Sequence, residues 1–345
     1  MNLMLRAARR LFVDRQLDTL VSLWGSTLSL GQNRACVVRV IDEAPDTKTF
    51  VLRCRMWRGH RPGQYVTIAV EIDGVTHRRC YSVSSAPATD MLSFTVRRIE
   101  GGLVSGFLHA HVRAGRILTL GSPEGVFVLP ASSTDGLLFL AAGSGITPIM
   151  SMLRARASLD GIVLVSWSRS REHAIFGAEL RRMANHGLRL VERFDDEGGR
   201  FDERSLPTVV PDFAERETFL CGPPGLMSRI EQLYGYMGAS SRLTVERFVT
   251  AAPIDDGADV TLKLLSGRTI TADRSSSLLA QLERAGERPT SGCRAGICHA
   301  CTCMKRSGTV LDLLTGELSS ATDEQIRLCV SVPRSDLELD LRVAS

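Results

Sequence analysis

Apolar and polar positions divide the chain into four stretches of different rhythm. In residues 1–30, Val13, Leu17, Leu20 and Trp24 recur at helical spacing, with Arg6, Arg9 and Arg10 close together, which predicts one or two amphipathic helical segments over 1–32. From Cys36 the rhythm shortens to alternation. Strands are predicted at 36–41, 47–54, 65–70 and 92–97, punctuated by Gly59, Pro62, Gly63 and Gly74. Many short strands between turn signals predict an antiparallel barrel over 33–131. Over 132–248 the pattern becomes apolar runs alternating with helical segments. Runs at 137–142, 162–167, 188–193 and 218–221 read as strands, and 149–153 and 178–182 as helices, which predicts a parallel α/β domain. Pro253, Asp255, Asp256 and Gly257 mark a linker over 249–258. A smaller mixed unit over 259–345 follows, with strands at 260–265, 269–272 and 336–341, a turn at Ser266 and Gly267, and a capped helix from Ser277 to Glu283.

Composition narrows this picture only a little. At 345 residues the chain is long enough for two or three domains. Its 44 % hydrophobic and 23 % charged content suits a soluble globular protein. A net charge of +4 is too mild to argue for nucleic-acid binding. No apolar stretch is long enough to span a bilayer. Arg9, Arg10, Asp14 and Arg15 interrupt any signal-peptide core. Nine cysteines, four of them accounted for below and Cys36, Cys54, Cys80, Cys221 and Cys303 without regular spacing, fit a reducing, cytoplasmic setting. The plain reading of residues 1–30 is a helix packed on its neighbouring domain. The sharper one is peripheral contact with a membrane or a membrane-bound partner, helped by the arginines and Trp24.

The strongest chemical signal is the spacing of Cys293, Cys298, Cys301 and Cys329: C-x4-C-x2-C, then 27 residues, then C. Four thiolates favour zinc or an iron–sulfur cluster. Zinc sites usually carry two C-x2-C pairs, and one is present here. The x4-then-x2 run with a remote fourth cysteine is the plant-type [2Fe–2S] arrangement. Gly292 and Gly296 suit a loop that turns its amides inward, toward the sulfurs. Cys303 falls outside this spacing.

Four further segments are candidates for ligand binding. Arg79, Tyr81 and Ser82 lie in the barrel region. Gly101 to Ser105 follows the strand carrying Val96, and its glycines and serine suit a helix N-terminus that holds a phosphate. Gly143, Gly145, Thr147 and Pro148 follow one apolar run, and Cys221, Gly222 and Pro223 follow another. Alone, Gly143-Ser-Gly145 is a weak dinucleotide signal.

Together these pieces resemble the ferredoxin-reductase flavoprotein family with a C-terminal plant-type ferredoxin domain, the layout of oxygenase and desaturase reductases. The resemblance spans about residues 33–345. It implies a flavin-binding β-barrel, an NAD(P)H-binding α/β domain and a β-grasp ferredoxin-like domain. By the family's R-x-Y-S motif, Arg79 would contact flavin phosphate, Tyr81 would lie against the isoalloxazine and Ser82 would bond its reactive edge. Gly102, Leu103, Val104 and Ser105, beside Val96, resemble the second flavin segment in a form that suits FAD better than FMN. Gly143, Gly145, Thr147 and Pro148 resemble the nicotinamide-side motif, and Cys221, Gly222 and Pro223 the C-G-P segment at the hydride-transfer site. Glu246 and Phe248 resemble the E-x-F segment that closes over the flavin.

Ser168 and Arg169 stand where NADPH-using relatives bind the 2′-phosphate, and their chemistry suits it. The 167–171 segment offers no acidic group for a ribose hydroxyl, although Glu172 follows; NADPH is therefore expected, with NADH as the alternative. His299 and Ala300 replace the small residues that many relatives place between the second and third cysteines. His299 is either a group that tunes the cluster or a solvent-facing side chain. With the basic N-terminal extension, this substitution resembles reductases of membrane-bound fatty-acid desaturases.

The implied activity takes electron pairs from NADPH and delivers them singly, through FAD and the cluster, to a partner protein. The alternative acceptor is a soluble ring-hydroxylating oxygenase or O-demethylase. A non-enzymatic one-electron carrier is the rival of another class, and the flavin and nucleotide motifs argue against it.

Overall fold

The computed structural model describes residues 33–88, 90–130, 136–199, 205–248, 259–292, 294, 296, 299–313 and 317–341. The expected N-terminal helical segments, the linker 249–258, Cys293 and Cys298 lie outside the described residues. The chain divides into two compact units, Met1–Glu246 and Arg247–Ser345. No helix among the described residues is long and apolar enough to cross a membrane.

The first unit begins with a six-stranded antiparallel sheet: β1 (Asn33–Ala44), β2 (Thr47–Arg53), β3 (Tyr65–Ile72), β4 (Val75–Ser82), β5 (Met91–Arg97) and β6 (Ile117–Leu120), in the order β4-β3-β6-β1-β2-β5. Its two terminal strands come together where Val83 bridges Phe94 and the Ser84 N–H donates to the Ser93 carbonyl at 2.8 Å, so the sheet curls into a barrel joined at that corner. Alternate residues such as Val37, Phe50, Leu52, Val66, Ile68 and Phe94 fill the interior. Strands β4 and β6 escape the sequence pattern. The segment Val75–Ser82 is mostly polar and solvent-facing, so it shows no apolar alternation. A helix, α1 (Leu103–His111), follows β5, and His109 Nε2–H donates to the Val96 carbonyl at 2.8 Å, tying the helix back to that strand.

The same unit continues as a five-stranded parallel sheet of β7 (Leu137–Ala142), β8 (Val163–Ser168), β9 (Arg189–Phe194), β10 (Glu217–Cys221) and β11 (Leu243–Glu246), in the order β11-β10-β7-β8-β9. Every residue of β7 is buried because both faces of this central strand are covered. Leu137, Phe139 and Ala141 face a core shared with α2 (Ile146–Arg154) and α3 (Gly177–Ala184). Leu138, Leu140 and Ala142 face a second core shared with α4 (Ser205–Val209) and α5 (Pro224–Tyr236). The strand order reverses between β7 and β10. In open α/β sheets, ligands bind in the crevice that such a reversal leaves beyond the strand ends.

The second unit is a five-stranded mixed sheet. Its strands are β12 (Val260–Leu264), β13 (Thr269–Ala272), β14 (Thr302–Ser307), β17 (Glu324–Arg327) and β19 (Leu337–Asp340), ordered β13-β12-β19-β14-β17. A small sheet of β15 (Val310–Asp312), β16 (Leu318–Ser319) and β18 (Ser331–Pro333) accompanies it. The helix α6 (Leu278–Arg284) buries Leu278, Leu279 and Leu282 in the core, and Ser277 caps it by accepting from the Ala280 N–H. This sheet-and-helix unit has the ferredoxin-like form that the sequence implied.

Candidate functional site

The nucleotide-side residues converge at the switch point. After β7 the chain turns through Gly143–Gly145 into α2. After β10 it turns through Gly222 and Pro223 into α5. The two turns touch: a Cβ on Gly145 would lie 2.1 Å from the Cys221 carbonyl oxygen. Only glycine permits this approach. The Thr147 hydroxyl donates to the Ser144 carbonyl at 2.9 Å, inside the turn, and Thr147 and Pro148 are buried. These two residues hold the loop in shape, while Gly143 faces the crevice.

Cys221 pairs in register with Glu246 on the adjacent parallel strand. Cys221 is fully buried, and burial, reinforced by the Glu246 charge, raises its thiol pKa well above the usual value. Burial pushes the Glu246 carboxyl up to about 7. A carboxyl half-protonated near neutrality beside a small, neutral thiol can hold or release a proton without leaving a strong fixed charge.

A cleft of about 220 Å³ opens beside Gly143. Its lining includes Ser168, Arg169 and Pro223, as the sequence suggested, and also Arg97, His173 and Asp195. Arg97 comes from the barrel and places Nη1 3.5 Å from the Cβ position of Gly143. Arg169 Nη2 lies 2.8 Å from Asp46 Oδ2, in the turn between β1 and β2. No local motif marks Asp46, Arg97 or Asp195. The acidic groups of the cleft thus come from outside the 167–171 segment.

On the barrel, Arg79 and Tyr81 share the face of their cross-strand partners Ile68 and Val66. The half-buried Tyr81 ring stacks on Phe94, with centroids 5.4 Å apart, and burial raises its phenol pKa. Arg79 is half-buried, and one of its nitrogens donates to the Arg78 carbonyl at 2.8 Å. Ser82 is buried. Val96 is buried in the barrel core, and its carbonyl accepts from His109. At the start of α1, Gly102 occupies the cap position with no side-chain cap hydrogen bond. The Ser105 hydroxyl is engaged within that turn, accepting from the Ile99 N–H at 3.2 Å and donating to the Gly102 carbonyl. The backbone N–H groups at this helix start, with Arg79 on β4, suit a phosphate. Leu103 is exposed and Val104 buried. Phe248 is exposed at the start of the second unit.

In the second unit, Cys301 and Cys329 are buried. Three described residues of the cysteine loop adopt left-handed backbone: Arg294 (φ 59°), Gly296 (φ 73°) and His299 (φ 54°). Arginine and histidine rarely do so, and such strain persists only where surrounding contacts enforce it. Those contacts are present. Arg294 forms a bidentate pair with Glu283 of α6 at 2.6 and 2.5 Å. Arg327 spans the Gly296 carbonyl and Asp312 Oδ2, at 2.7 and 2.8 Å. The Gly296 N–H donates to Cys329 Sγ at 3.2 Å, the inward amide expected of a thiolate-rich site. These features fit a [2Fe–2S] cluster. His299 is exposed, and its carbonyl accepts from the Thr302 N–H and hydroxyl. Cys303 is buried in the same core as Cys301 and Cys329.

Comparison with known proteins finds three family models along the chain. Residues 35–129 match the family model of an oxidoreductase FAD-binding domain, 139–232 that of an oxidoreductase NAD-binding domain, and 263–334 that of a 2Fe-2S iron-sulfur cluster binding domain. An NADPH oxidoreductase of Mycobacterium tuberculosis is 38 % identical over 293 residues, covering 82 % of this chain and 77 % of that one. The glycine betaine monooxygenase reductase subunit of Pseudomonas aeruginosa is 30 % identical over 355 residues, covering 91 % and 96 %. The solved structure of phthalate dioxygenase reductase superposes with a TM-score of 0.66 at 24 % identity, covering 91 % and 98 %, and shares the fold.

Proposed function

This chain belongs to the ferredoxin-reductase-like flavoproteins with a C-terminal [2Fe–2S] domain, an oxidoreductase carrying electrons from NAD(P)H through FAD to the cluster and on to a protein partner, and we propose that NADPH is its donor and that Cys221 and Glu246 flank the hydride-transfer site. The observation that carries this reading is the meeting of Cys221, Glu246 and the Gly145 turn at the sheet's switch point. FAD held there would supply two-electron chemistry, and a [2Fe–2S] cluster one-electron chemistry.

The chain's own groups position and tune. Arg79 and the amides after Gly102 bind flavin phosphates. Tyr81 packs against the isoalloxazine, and Ser82 donates to its reactive edge. Gly143, Gly145 and the backbone of Thr147, Gly222 and Pro223 bound the nicotinamide and pyrophosphate. The thiol of Cys221 leaves room for the nicotinamide ring, while Glu246 holds a proton next to it. Ser168 and Arg169 read the 2′-phosphate. Cys293, Cys298, Cys301 and Cys329 ligate the cluster, with Arg294 and Arg327 shaping the loop.

Anaerobic stopped-flow mixing with NADPH and NADH in turn tests this. Flavin absorbance is expected to bleach with either nucleotide, at lower concentration with NADPH, and the iron–sulfur absorbance to fall afterwards. Bleaching of the flavin with no change at the iron, or a preference for NADH, would overturn the reading.

For the acceptor, a membrane-bound fatty-acid desaturase is supported by the basic N-terminal extension and by His299 and Ala300 in the cysteine loop. An oxygenase component is supported by the similarity to the glycine betaine monooxygenase reductase subunit of Pseudomonas aeruginosa. Removal of residues 1–32 separates the two. A desaturase partner in vesicles loses electron supply, whereas a soluble oxygenase keeps it.

A further inference from the structure

Arg169 is already engaged before any nucleotide arrives. Its Nη2 lies 2.8 Å from Asp46 Oδ2, joining the end of β8 to the β1–β2 turn of the barrel across the nucleotide cleft. Both backbones are fixed. The Asp46 carbonyl accepts from the Arg98 N–H at 2.7 Å, and the Arg169 carbonyl from the Asp196 N–H at 3.2 Å. The Thr47 hydroxyl donates to Asp46 Oδ1 at 3.0 Å, which orients the carboxylate. Asp46 is the more enclosed partner, its side chain 25 % exposed against 62 % for Arg169. The carboxylate therefore stays at the cleft while the arginine tip can swing.

This places two anions in competition for one guanidinium. A 2′-phosphate reaching Arg169 must share the guanidinium with the carboxylate or displace it, and in either case it remains close to the carboxylate's negative charge. A 2′-hydroxyl, as in NADH, needs no such exchange and can donate to the carboxylate. We propose that Asp46 is a specificity-determining residue of the nucleotide cleft, which weakens the NADPH preference set by Arg169 by competing with the 2′-phosphate. The proposal rests on the reading of Arg169 as the 2′-phosphate ligand and extends it to a residue 123 positions away.

The test is steady-state kinetics of the holoenzyme with ferricyanide as acceptor and each nucleotide in turn, using Asp46→Asn, Asp46→Glu, Arg169→Gln and the Asp46→Asn/Arg169→Gln double variant. Asp46→Asn removes the charge and keeps the shape. It should lower KM for NADPH about two- to five-fold, the range for a partly exposed ion pair. It should leave kcat unchanged and not lower KM for NADH. The gain should shrink at high ionic strength and become smaller in the double variant, where only the direct repulsion between carboxylate and phosphate is left to relieve. Asp46→Glu retains the charge and should keep the wild-type preference. If Arg169→Gln raises KM for NADPH selectively but Asp46→Asn changes neither nucleotide, or both equally, the role of Asp46 is overturned while that of Arg169 stands. If Arg169→Gln affects both nucleotides alike, the phosphate reading itself fails.

Discussion

The nucleotide crevice and the cysteine loop are built by opposite means. In the crevice, main chain packs on main chain: Gly145 lies against the Cys221 carbonyl, and a fully buried strand supports the turn from below. In the cysteine loop, charged side chains hold a strained backbone: Arg294 on Glu283, and Arg327 on the Gly296 carbonyl and Asp312. A crevice of the first kind takes its shape from the sheet and needs no ligand to form. A loop of the second kind has left-handed arginine and histidine to maintain, and a bound cluster would add to that maintenance, because metal binding contributes directly to folding free energy.

Substitutions at four positions test this contrast. Cys329→Ser should abolish iron and labile sulfide while leaving NAD(P)H-driven flavin bleaching intact; metal analysis with stopped-flow spectroscopy reads both. Gly145→Val should do the reverse. Its branched side chain cannot share space with the Cys221 carbonyl, and a displacement of about 1 Å at a reacting site costs on the order of 100-fold. Flavin reduction should slow by that factor while the cluster keeps its electron paramagnetic resonance signal.

Arg327→Met tests the clamp. Loss of a supporting contact around a metal site costs about 10- to 100-fold in metal retention, so cluster loss to a chelator should accelerate to that extent. The Gly296 N–H to sulfur bond should loosen with it, lowering the midpoint potential. Arg327→Lys should restore part of both.

Glu246→Gln has the smallest expected effect, and its sign follows from burial. The carboxyl pKa rises from its usual 4.5 to about 7, so the folded state holds the proton more tightly than the unfolded chain. The stability this confers is present below pH 4.5 and lost as pH rises through about 7. Glutamine stays neutral throughout. The variant should therefore be more stable than wild type above pH 7, by on the order of 1–3 kcal/mol, and should converge with it toward pH 4.5 in urea unfolding. An offset that does not change with pH would show that Glu246 is not the titrating group.

The chain's own text was most legible where local chemistry dictates structure. The apolar run Leu137–Ala142 announces a strand covered on both faces, and Ser277 announces a helix start that the structure caps as expected. It was least legible at β4, where polar residues follow no alternation because most of that strand lies outside the core. The short strands β15, β16 and β18 were also missed, since pieces of two or three residues carry no periodicity.

Sequence alone determined the four-cysteine spacing, the R-x-Y-S segment and the glycines beyond two buried strands, because each is a local solution to a local chemical demand. Only the tertiary structure decided that Cys221 stands beside Glu246, that Arg97 reaches Gly143 and that Asp46 meets Arg169. Those pairings depend on strand order and barrel closure. Sheet hydrogen bonds and buried apolar area set both over distances of tens to more than a hundred residues, and no short stretch of sequence records them.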